Sequence, residues 1–284
     1  MDDDGAHAPA RAMVIWCDGA HDAPENMRRD ALLLERAAAG LDPATVLRLF
    51  AFSPPGITLG HSQDPGRELD LGKVRAEGVP WATRPTGGRA IFHEQEWTFS
   101  LATRPGPDGW AADAATAYVR TCAVLLRALR ALGVPAELSA GSARGPGAPR
   151  AAGGPAAPCF ASTARSELTL NGRKLAGIAQ RRVRGALLQQ GSLLLGAGHL
   201  RLAAYLPIPP EQQASVRAGL AAASSDAGGH LRAGASLADL AEAIAHELPD
   251  AIRVAGEAGP VARPGDAWSS PLPLQARGSY TGPS

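Results

Sequence analysis

Residues 167–180 of this 284-residue chain read Glu167-Leu168-Thr169-Leu170-Asn171-Gly172-Arg173-Lys174-Leu175-Ala176-Gly177-Ile178-Ala179-Gln180. The Asn-Gly pair is a strong signal for a type I′ turn, because both central positions of that turn require positive φ. Strand-like segments flank the pair, so the stretch predicts a β-hairpin in which Lys174 begins the returning strand. An ammonium group at that place can hold a carbonyl or carboxylate oxygen.

Short apolar runs, turn signals and separate helical segments surround this hairpin in the sequence. Strands are predicted over residues 46–52, 57–60, 81–84, 97–102 and 134–138. Helices are predicted over residues 26–39, 113–133, 211–224 and 236–247. Mixed short strands and separated helices indicate an α+β sandwich with one main domain.

The clearest helix, 113–133, has apolar residues at helical spacing and ends at a glycine. Its predicted buried stripe consists of Ala115, Val119, Cys122, Leu126, Leu129 and Leu132. We therefore expect Cys122 in the core, and Cys17 as well, because Cys17 ends the apolar run 14–17. The three cysteines have no paired spacing, so neither a disulfide framework nor a zinc site is predicted.

Composition excludes several functional classes. The hydrophobic fraction of 45% suffices for a sizeable core, and a net charge of +1 gives no field for nucleic acid or an anionic membrane. No apolar run approaches the ~20 residues of a membrane span. The acidic start, residues 1–4, lacks the basic and apolar regions of a signal peptide. We expect a cytoplasmic protein that binds neither nucleic acid nor membranes.

The chain is expected to form one catalytic domain over residues 12–255. A disordered tail, 1–11, precedes it, and an extension, 256–284, packs on the domain or trails it. Residues 139–158 are rich in Gly, Pro and Ala and have almost nothing to bury, which predicts a mobile loop within the domain. Loops beside reacting groups often gate them, and an inert insertion is the alternative.

The chemistry indicated by the residues is acyl transfer through a thioester. Residues 84–93, Arg84-Pro85-Thr86-Gly87-Gly88-Arg89-Ala90-Ile91-Phe92-His93, contain a glycine turn that lets backbone approach a ligand. Cys159, in Pro-Cys-Phe, supplies a thiol that can carry an acyl group. Lys174 is retained where arginine fills nearly every other basic position, which indicates that an ammonium is needed there. The structural alternatives are a buried cysteine, a solvent-exposed lysine, a simple tight turn and a core histidine at His93.

Four segments, in their order and spacing, resemble the lipoate–protein ligase A and octanoyltransferase family. They are residues 84–93, 158–160, 172–180 and 190–195, and the early segment 52–63 is also similar. The resemblance covers roughly residues 12–250. It implies a mixed-sheet α+β sandwich of the biotin/lipoate–protein ligase catalytic-domain type.

The resemblance also implies an activity. Family members with a Pro-Cys-Phe cysteine upstream of the Gly-Arg-Lys lysine move octanoyl from octanoyl-acyl carrier protein to a lysine of a lipoyl-carrier domain. That acceptor is a protein such as the glycine cleavage H protein or a 2-oxoacid dehydrogenase E2. Cys159 and Lys174 are then the implied catalytic residues, with no cofactor or metal. The implied substrate-binding residues are Arg84, Thr86, Gly87, Gly88, Arg89, Ala90, His93, Gly177, Ala179, Gln180 and Gly191.

Two alternatives stay open at this point. An ATP-dependent lipoate–protein ligase would use Lys174 on an adenylate and leave Cys159 incidental, although such ligases often add an accessory domain that we do not expect here. A non-catalytic carrier-binding homologue is the second. The family commonly has His-Gly where this chain has Gln190-Gly191, and this departure favours that second alternative.

Overall fold

A computed structural model describes residues 13–41, 43–106, 110–139 and 167–256. Its strands are β1 (Met13–His21), β2 (Thr45–Phe52), β3 (Gly56–Leu59), β4 (Trp81–Thr83), β5 (Ile91–His93), β6 (Glu96–Thr103), β7 (Glu137–Leu138), β8 (Leu168–Leu170), β9 (Arg173–Lys174), β10 (Ala176–Val183), β11 (Ala186–Leu194) and β12 (Ile252–Ala255). Its helices are α1 (Ala23–Ala39), α2 (Pro65–Glu68), α3 (Leu71–Ala76), α4 (Ala114–Ala131), α5 (Pro210–Ala223) and α6 (Leu237–Glu247), with 3₁₀ segments at Gly198–Tyr205 and Gly228–His230.

Several sequence-based expectations fall outside the described residues. They are the predicted tail 1–11, the predicted extension beyond Gly256, the part of the predicted loop from residue 140 onward, and Cys159. The predicted helices and strands lie within the described ranges and are confirmed, although β7 is shorter than the strand predicted over 134–138.

The largest described sheet has the strand order β10–β11–β6–β2–β1–β12. In it, β1 runs parallel to β2 and β12, whereas β6 pairs antiparallel with β2 and β11, and β10 pairs antiparallel with β11. Smaller sheets, β4–β3–β5 and β7–β8–β9, lie beside it. Mixed sheets with separate helices confirm the predicted α+β class.

Helices cover both faces of the large sheet. On one face, Ile15 packs with Leu125 of α4 and Ile244 of α6. On the other face, Val14 packs with Leu33 of α1. Neighbouring residues of β1 thus enter opposite cores, as the two-residue period of a strand requires. Within the described ranges, every helix is too short or too polar to cross a lipid bilayer.

The Asn-Gly hairpin forms as predicted. Asn171 and Gly172 have φ values of 53° and 72° and connect β8 to β9, where Lys174 pairs with Thr169. Lys174 is only 4% exposed. The alternative of a solvent-exposed lysine is therefore wrong, because the hairpin turns this side chain into the protein.

A buried ion cluster lies between α1 and the large sheet, around Arg48 of β2. Its Nε donates to Asp18 Oδ2 and its Nη1 to Asp30 Oδ1, each at 2.7 Å. Its Nη2 donates to Asn26 Oδ1 at 2.6 Å, and Arg29 Nη1 donates to Asp18 Oδ1 at 2.6 Å. Buried charges are tolerated when they are paired and hydrogen-bonded in this way. The cluster fixes α1 on the sheet and leads toward the cleft described below.

The buried face of α4 differs from the predicted stripe. The residues it buries are Ala117, Thr121, Cys122, Val124, Leu125, Ala128 and Leu129, whereas Val119 is 50% exposed. Hydrophobicity alone misplaced the face because alanines and a threonine occupy it. The threonine is satisfied there, since Thr121 Oγ1 donates to Gln189 Oε1 at 2.6 Å and accepts from Trp110 Nε1 at 3.1 Å.

Candidate active site

A cleft opens where α1, β3, β5 and β6 meet β10 and β11. The empty space between its walls and in the solvent at its mouth totals about 370 Å³. The described lining consists of Met27, Phe52, Thr58, Arg84, Ile91, His93, Thr98, Gly177, Ile178, Ala179, Gln190, Gly191 and Ser192. Seven of the 13 lining residues are apolar or glycine and six are polar, a combination that suits a ligand with a hydrocarbon chain and a polar end.

The structure brings part of the predicted site together at this cleft. Among the predicted substrate-binding residues, those in the lining are Arg84, His93, Gly177, Ala179 and Gly191. The described lining does not include Thr86, Gly87, Gly88, Arg89, Ala90, Gln180 or Lys174. Gln180 instead donates from Nε2 to the carbonyl oxygen of Ala114 at 2.9 Å, which ties β10 to the start of α4.

Arg84 shapes one wall of the cleft by holding the glycine turn. Its Nε and Nη2 donate to the carbonyl oxygen of Gly87 at 3.1 and 2.8 Å, and Nη2 also donates to that of Arg89 at 2.8 Å. Its Nη1 donates to the carbonyl oxygen and the hydroxyl of Thr58, both at 3.2 Å. A guanidinium has five N–H donors, so these contacts employ the whole fork.

Gly60 packs directly against the same turn. A Cβ atom at this position would lie 2.1 Å from the carbonyl oxygen of Gly88, which is far closer than two non-bonded atoms can approach. The neighbouring His61 N–H donates to the carbonyl oxygen of Thr86 at 2.9 Å. The position therefore requires glycine, and the turn is fixed from this side by backbone alone.

Gly60→Ala is expected to displace the turn and to lower the rate of the reaction at this cleft by about 10²-fold, since a shift near 1 Å in a positioning element has effects of that size. The measurements are the transfer rate and the thermal unfolding midpoint. Gly66→Ala is the matched control, because a Cβ there meets only Asp64 Oδ1 at 3.5 Å, an ordinary contact. Equal activity of the two variants would contradict the role of the turn.

Gln190, the departure from the family pattern, connects the turn to the buried ion cluster. Its Oε1 accepts from the Thr86 hydroxyl at 2.6 Å and from the Thr86 N–H at 3.3 Å. Its Nε2 donates to Asp30 Oδ2 at 2.5 Å. The amide of Gln190 thus accepts from Thr86 on one side and donates to Asp30 on the other, so a glutamine satisfies both hydrogen-bonding partners.

His93 lies at the centre of a buried hydrogen-bonded chain. Its Nε2 is 2.6 Å from Thr58 Oγ1, and its Nδ1 is 2.6 Å from Glu96 Oε1. The same Glu96 oxygen accepts from the Ser192 hydroxyl at 2.9 Å. The Phe52 ring stacks on the imidazole with a centroid distance of 3.9 Å. His93 is therefore buried and hydrogen-bonded, as the alternative of a core histidine expects, but it also lines the cleft.

Lys174 forms a buried ion pair with a residue that the sequence did not single out. Its Nζ donates to Glu167 Oε1 at 2.8 Å, and both side chains are about nine-tenths buried or more. Lys174 lies three residues before Gly177, which lines the cleft. Glu167 immediately precedes β8, so the pairing of β8 with β9 brings its carboxylate to the lysine.

Sequence reasoning also missed Thr58, Glu96 and Ser192. One signal was present, because Glu96 follows His93 by three residues across the β5–β6 connection. Thr58 and Ser192 lie in the resembling segments 52–63 and 190–195, but their contacts with His93 and Glu96 arise only through strand pairing. Among the described residues, no group of three or more His, Cys, Asp or Glu side chains is placed to hold a metal ion.

Cys17 and Cys122, the two cysteines within the described residues, are poor nucleophiles. Cys122 is buried as predicted, and burial raises the pKa of its thiol to about 12. Cys17 is half-buried, so its predicted place in the core is only partly correct; β1 leaves one side of it open. Burial, followed by the charge of Asp18, raises the pKa of Cys17 as well. Reactive cysteines usually show the opposite shift.

Comparisons with known proteins identify the family of this chain. The lipoyl protein ligase A/B catalytic domain matches residues 22–248. The octanoyltransferase LipM of Moorella thermoacetica is 36% identical over 203 residues, 72% of this chain and 72% of that protein. The LipM of Kyrpidia tusciae is 34% identical over 194 residues, 68% of this chain and 70% of its own.

Among solved structures, the bi-partite lipoate protein ligase of Thermoplasma acidophilum, described with its E2 lipoyl domain, is similar with a TM-score of 0.63. The match covers 86% of this chain and 87% of that one at 17% identity. This likeness confirms the predicted lipoate–protein ligase fold.

Proposed function

Because this chain belongs to the lipoyl protein ligase A/B catalytic-domain family, we propose that it transfers octanoyl to a lysine of a lipoyl-carrier domain through a thioester on Cys159. The observation that carries octanoyl transfer is the similarity to LipM octanoyltransferases over about seven-tenths of the chain. The route through Cys159 is supported by the sequence, where this thiol stands in the Pro-Cys-Phe context upstream of Lys174.

The proposed reaction has two steps. In the first, the Cys159 thiolate attacks the carbonyl carbon of the octanoyl thioester, the donor's C–S bond breaks, and the donor thiol leaves with a proton. In the second, the acceptor amine attacks the enzyme thioester, the C–S bond breaks, an amide forms, and Cys159 leaves as a thiol with the proton that the nitrogen loses. Lys174 and backbone N–H groups stabilise the carbonyl oxygen as it gains negative charge in each step.

The cleft lining supports an eight-carbon substrate. Ile91 and Ile178 supply apolar surface, and Gly177 and Gly191 let backbone approach a chain. Burying about seven methylene and methyl groups at ~0.8 kcal/mol each contributes at most roughly 5–6 kcal/mol. This energy selects octanoyl over short acids but discriminates weakly between neighbouring chain lengths.

The proposed donor is octanoyl-acyl carrier protein. The proposed acceptors are small lipoyl-carrier domains such as the glycine cleavage H protein or an E2 lipoyl domain. The Thermoplasma relative in fold, a lipoate protein ligase, is described together with an E2 lipoyl domain. A cytoplasmic location stays a prediction from the sequence.

The competing functions rest on weaker support. The ligase alternative draws on the likeness to lipoate protein ligases, which concerns the fold. The non-catalytic alternative drew on Gln190, yet the amide of Gln190 bonds both Thr86 and Asp30, as expected of a residue fitted to a working site.

Transfer is expected to proceed without ATP. In one reaction the enzyme meets octanoyl-acyl carrier protein and an acceptor domain; in a second it meets free lipoate, Mg-ATP and the same acceptor. We expect modified acceptor, measured by mass spectrometry, in the first reaction only. Efficient ligation of free lipoate with ATP, at a rate that Cys159→Ala leaves unchanged, would establish the ligase function instead.

A further inference from the structure

The second step of the proposed reaction requires a group that takes a proton. An acceptor lysine carries an ammonium at neutral pH, because its ordinary pKa is about 10.4, and an ammonium has no lone pair with which to attack. The requirement is the same whether the acyl group is held by a thiol or by an adenylate. The inference below rests on the proposed function only in taking a lysine as the acceptor.

We propose that His93 accepts the proton of the incoming lysine through the hydroxyl of Thr58, and that Glu96 is the positioning residue that holds His93 for this task. All three side chains are buried, and both Thr58 and His93 line the cleft. Successive heavy atoms are 2.6 Å apart at both links of the chain.

The direction of this chain follows from its donors. Arg84 Nη1 can only donate, so at 3.2 Å it occupies one lone pair of Thr58 Oγ1. The carboxylate oxygen of Glu96 only accepts, so Nδ1 of His93 donates to it, and in this tautomer Nε2 accepts from the Thr58 hydroxyl. The geometry thus places a nitrogen of His93 where it can accept a proton through Thr58, which lines the cleft.

Glu96 is fixed in place by several contacts. Its Oε1 accepts from Thr98 Oγ1 at 2.7 Å and from Ser192 Oγ at 2.9 Å, in addition to His93 Nδ1. A carboxylate this close to Nδ1 stabilises the imidazolium that forms when Nε2 takes a proton. The stacked Phe52 ring prevents rotation of the imidazole. The geometry is that of a base oriented by a third group.

Other charged groups near the cleft are unsuited to this task. Arg84 also lines the cleft, but a guanidinium stays protonated and only donates. Lys174 donates to Glu167 and is assigned to the carbonyl oxygen, so it acts as a cation and not as a base. Among the described lining residues, His93 is the side chain that has one ring nitrogen against a carboxylate and the other against a hydroxyl of the cleft wall.

Transfer to the acceptor lysine begins with proton transfer along this chain. The ammonium gives a proton to Thr58 Oγ1, and the original hydroxyl proton moves to His93 Nε2. The freed lone pair forms the C–N bond, and the C–S bond to the enzyme breaks with its electron pair on the sulfur of Cys159. That sulfur takes the second proton, which the nitrogen loses as the amide forms. The proton then returns from the imidazolium to solvent, so His93 is restored.

The test separates the two steps and uses two acceptors. The enzyme is first loaded with octanoyl, the acyl-enzyme is isolated, and its decay is followed with an acceptor domain or with hydroxylamine, an amine that is already unprotonated at neutral pH. We expect His93→Gln and Thr58→Val to slow transfer to the lysine by about 10²–10³-fold, a usual contribution of a general base. Glu96→Gln should slow it less, and reaction with hydroxylamine should stay close to wild type in all three.

His199→Gln is the matched control, because His199 is also a buried histidine hydrogen-bonded to a hydroxyl, at 2.9 Å, yet it does not line the cleft. It should transfer to lysine normally. Lysine transfer close to wild type in His93→Gln, or an equal loss with both acceptors, overturns the proposal. Failure of the wild type to form an acyl-enzyme contradicts the thioester route instead, and the comparison of acceptors is then made on the overall reaction.

Discussion

Cys159→Ser is expected to abolish the octanoyl adduct and to reduce transfer to the acceptor to background. A serine hydroxyl at this position lacks the ready ionisation of a thiol and cannot replace it as the acyl carrier. The measurement is intact mass spectrometry after mixing with octanoyl-acyl carrier protein. Wild type should gain one octanoyl group that hydroxylamine removes, and the variant should gain none.

The other cysteines supply the controls for this result. Cys122→Ser and Cys17→Ser should retain the adduct, because burial raises the pKa of the Cys122 thiol to about 12 and also raises that of Cys17. Both thiols are therefore protonated and unreactive near neutral pH. An adduct located on Cys17 or Cys122 would contradict the assignment of Cys159.

Lys174→Arg is expected to lose activity by about 10²–10³-fold, the usual effect of removing one donor to a developing oxyanion. Arginine keeps the charge but presents a wide planar fork where a compact ammonium stands. The site leaves little room for the change, since Lys174 is 4% exposed and donates to Glu167 at 2.8 Å. The measurement is the rate of acyl-enzyme formation together with the rate of transfer.

Lys73→Arg is the control for this variant, because Lys73 is the chain's other lysine and lies on α3, outside the cleft lining. Circular dichroism and thermal unfolding should show that both variants fold. Activity of Lys174→Arg within about tenfold of wild type, a difference of only ~1.4 kcal/mol in barrier, would show that Lys174 has no part in the chemistry.

The parts of the fold that could be predicted are those that depend on residues adjacent in the sequence. The Asn171-Gly172 turn needed only local φ preferences, and it placed Lys174 correctly at the start of β9. The face of α4 was wrong because its buried side is marked by Ala117 and Thr121, whose packing depends on other elements. Local propensity carries no information about such contacts.

The candidate site shows the same division between local and distant contacts. The glycine turn and His93 were visible in one motif, but Thr58 is 35 residues away from His93 and Ser192 is 96 residues away from Glu96. Glu167 became meaningful only when β8 paired with β9. A single sequence does not show which of these residues contact one another, because strand pairing creates the contacts.

The position of Asp30 has a practical consequence for altering the substrate range. Asp30 accepts from Arg48 in the ion cluster under α1 and from Gln190 in the cleft wall. One carboxylate therefore holds both the ion cluster and the cleft wall in place. Variation at Gln190 would therefore remove hydrogen bonds to Asp30 and to Thr86 at the same time. Variation at Ile91 and Ile178, apolar lining residues outside that cluster, reshapes the acyl chain's surroundings while the scaffold stays intact. Engineering of chain-length preference should begin with this pair.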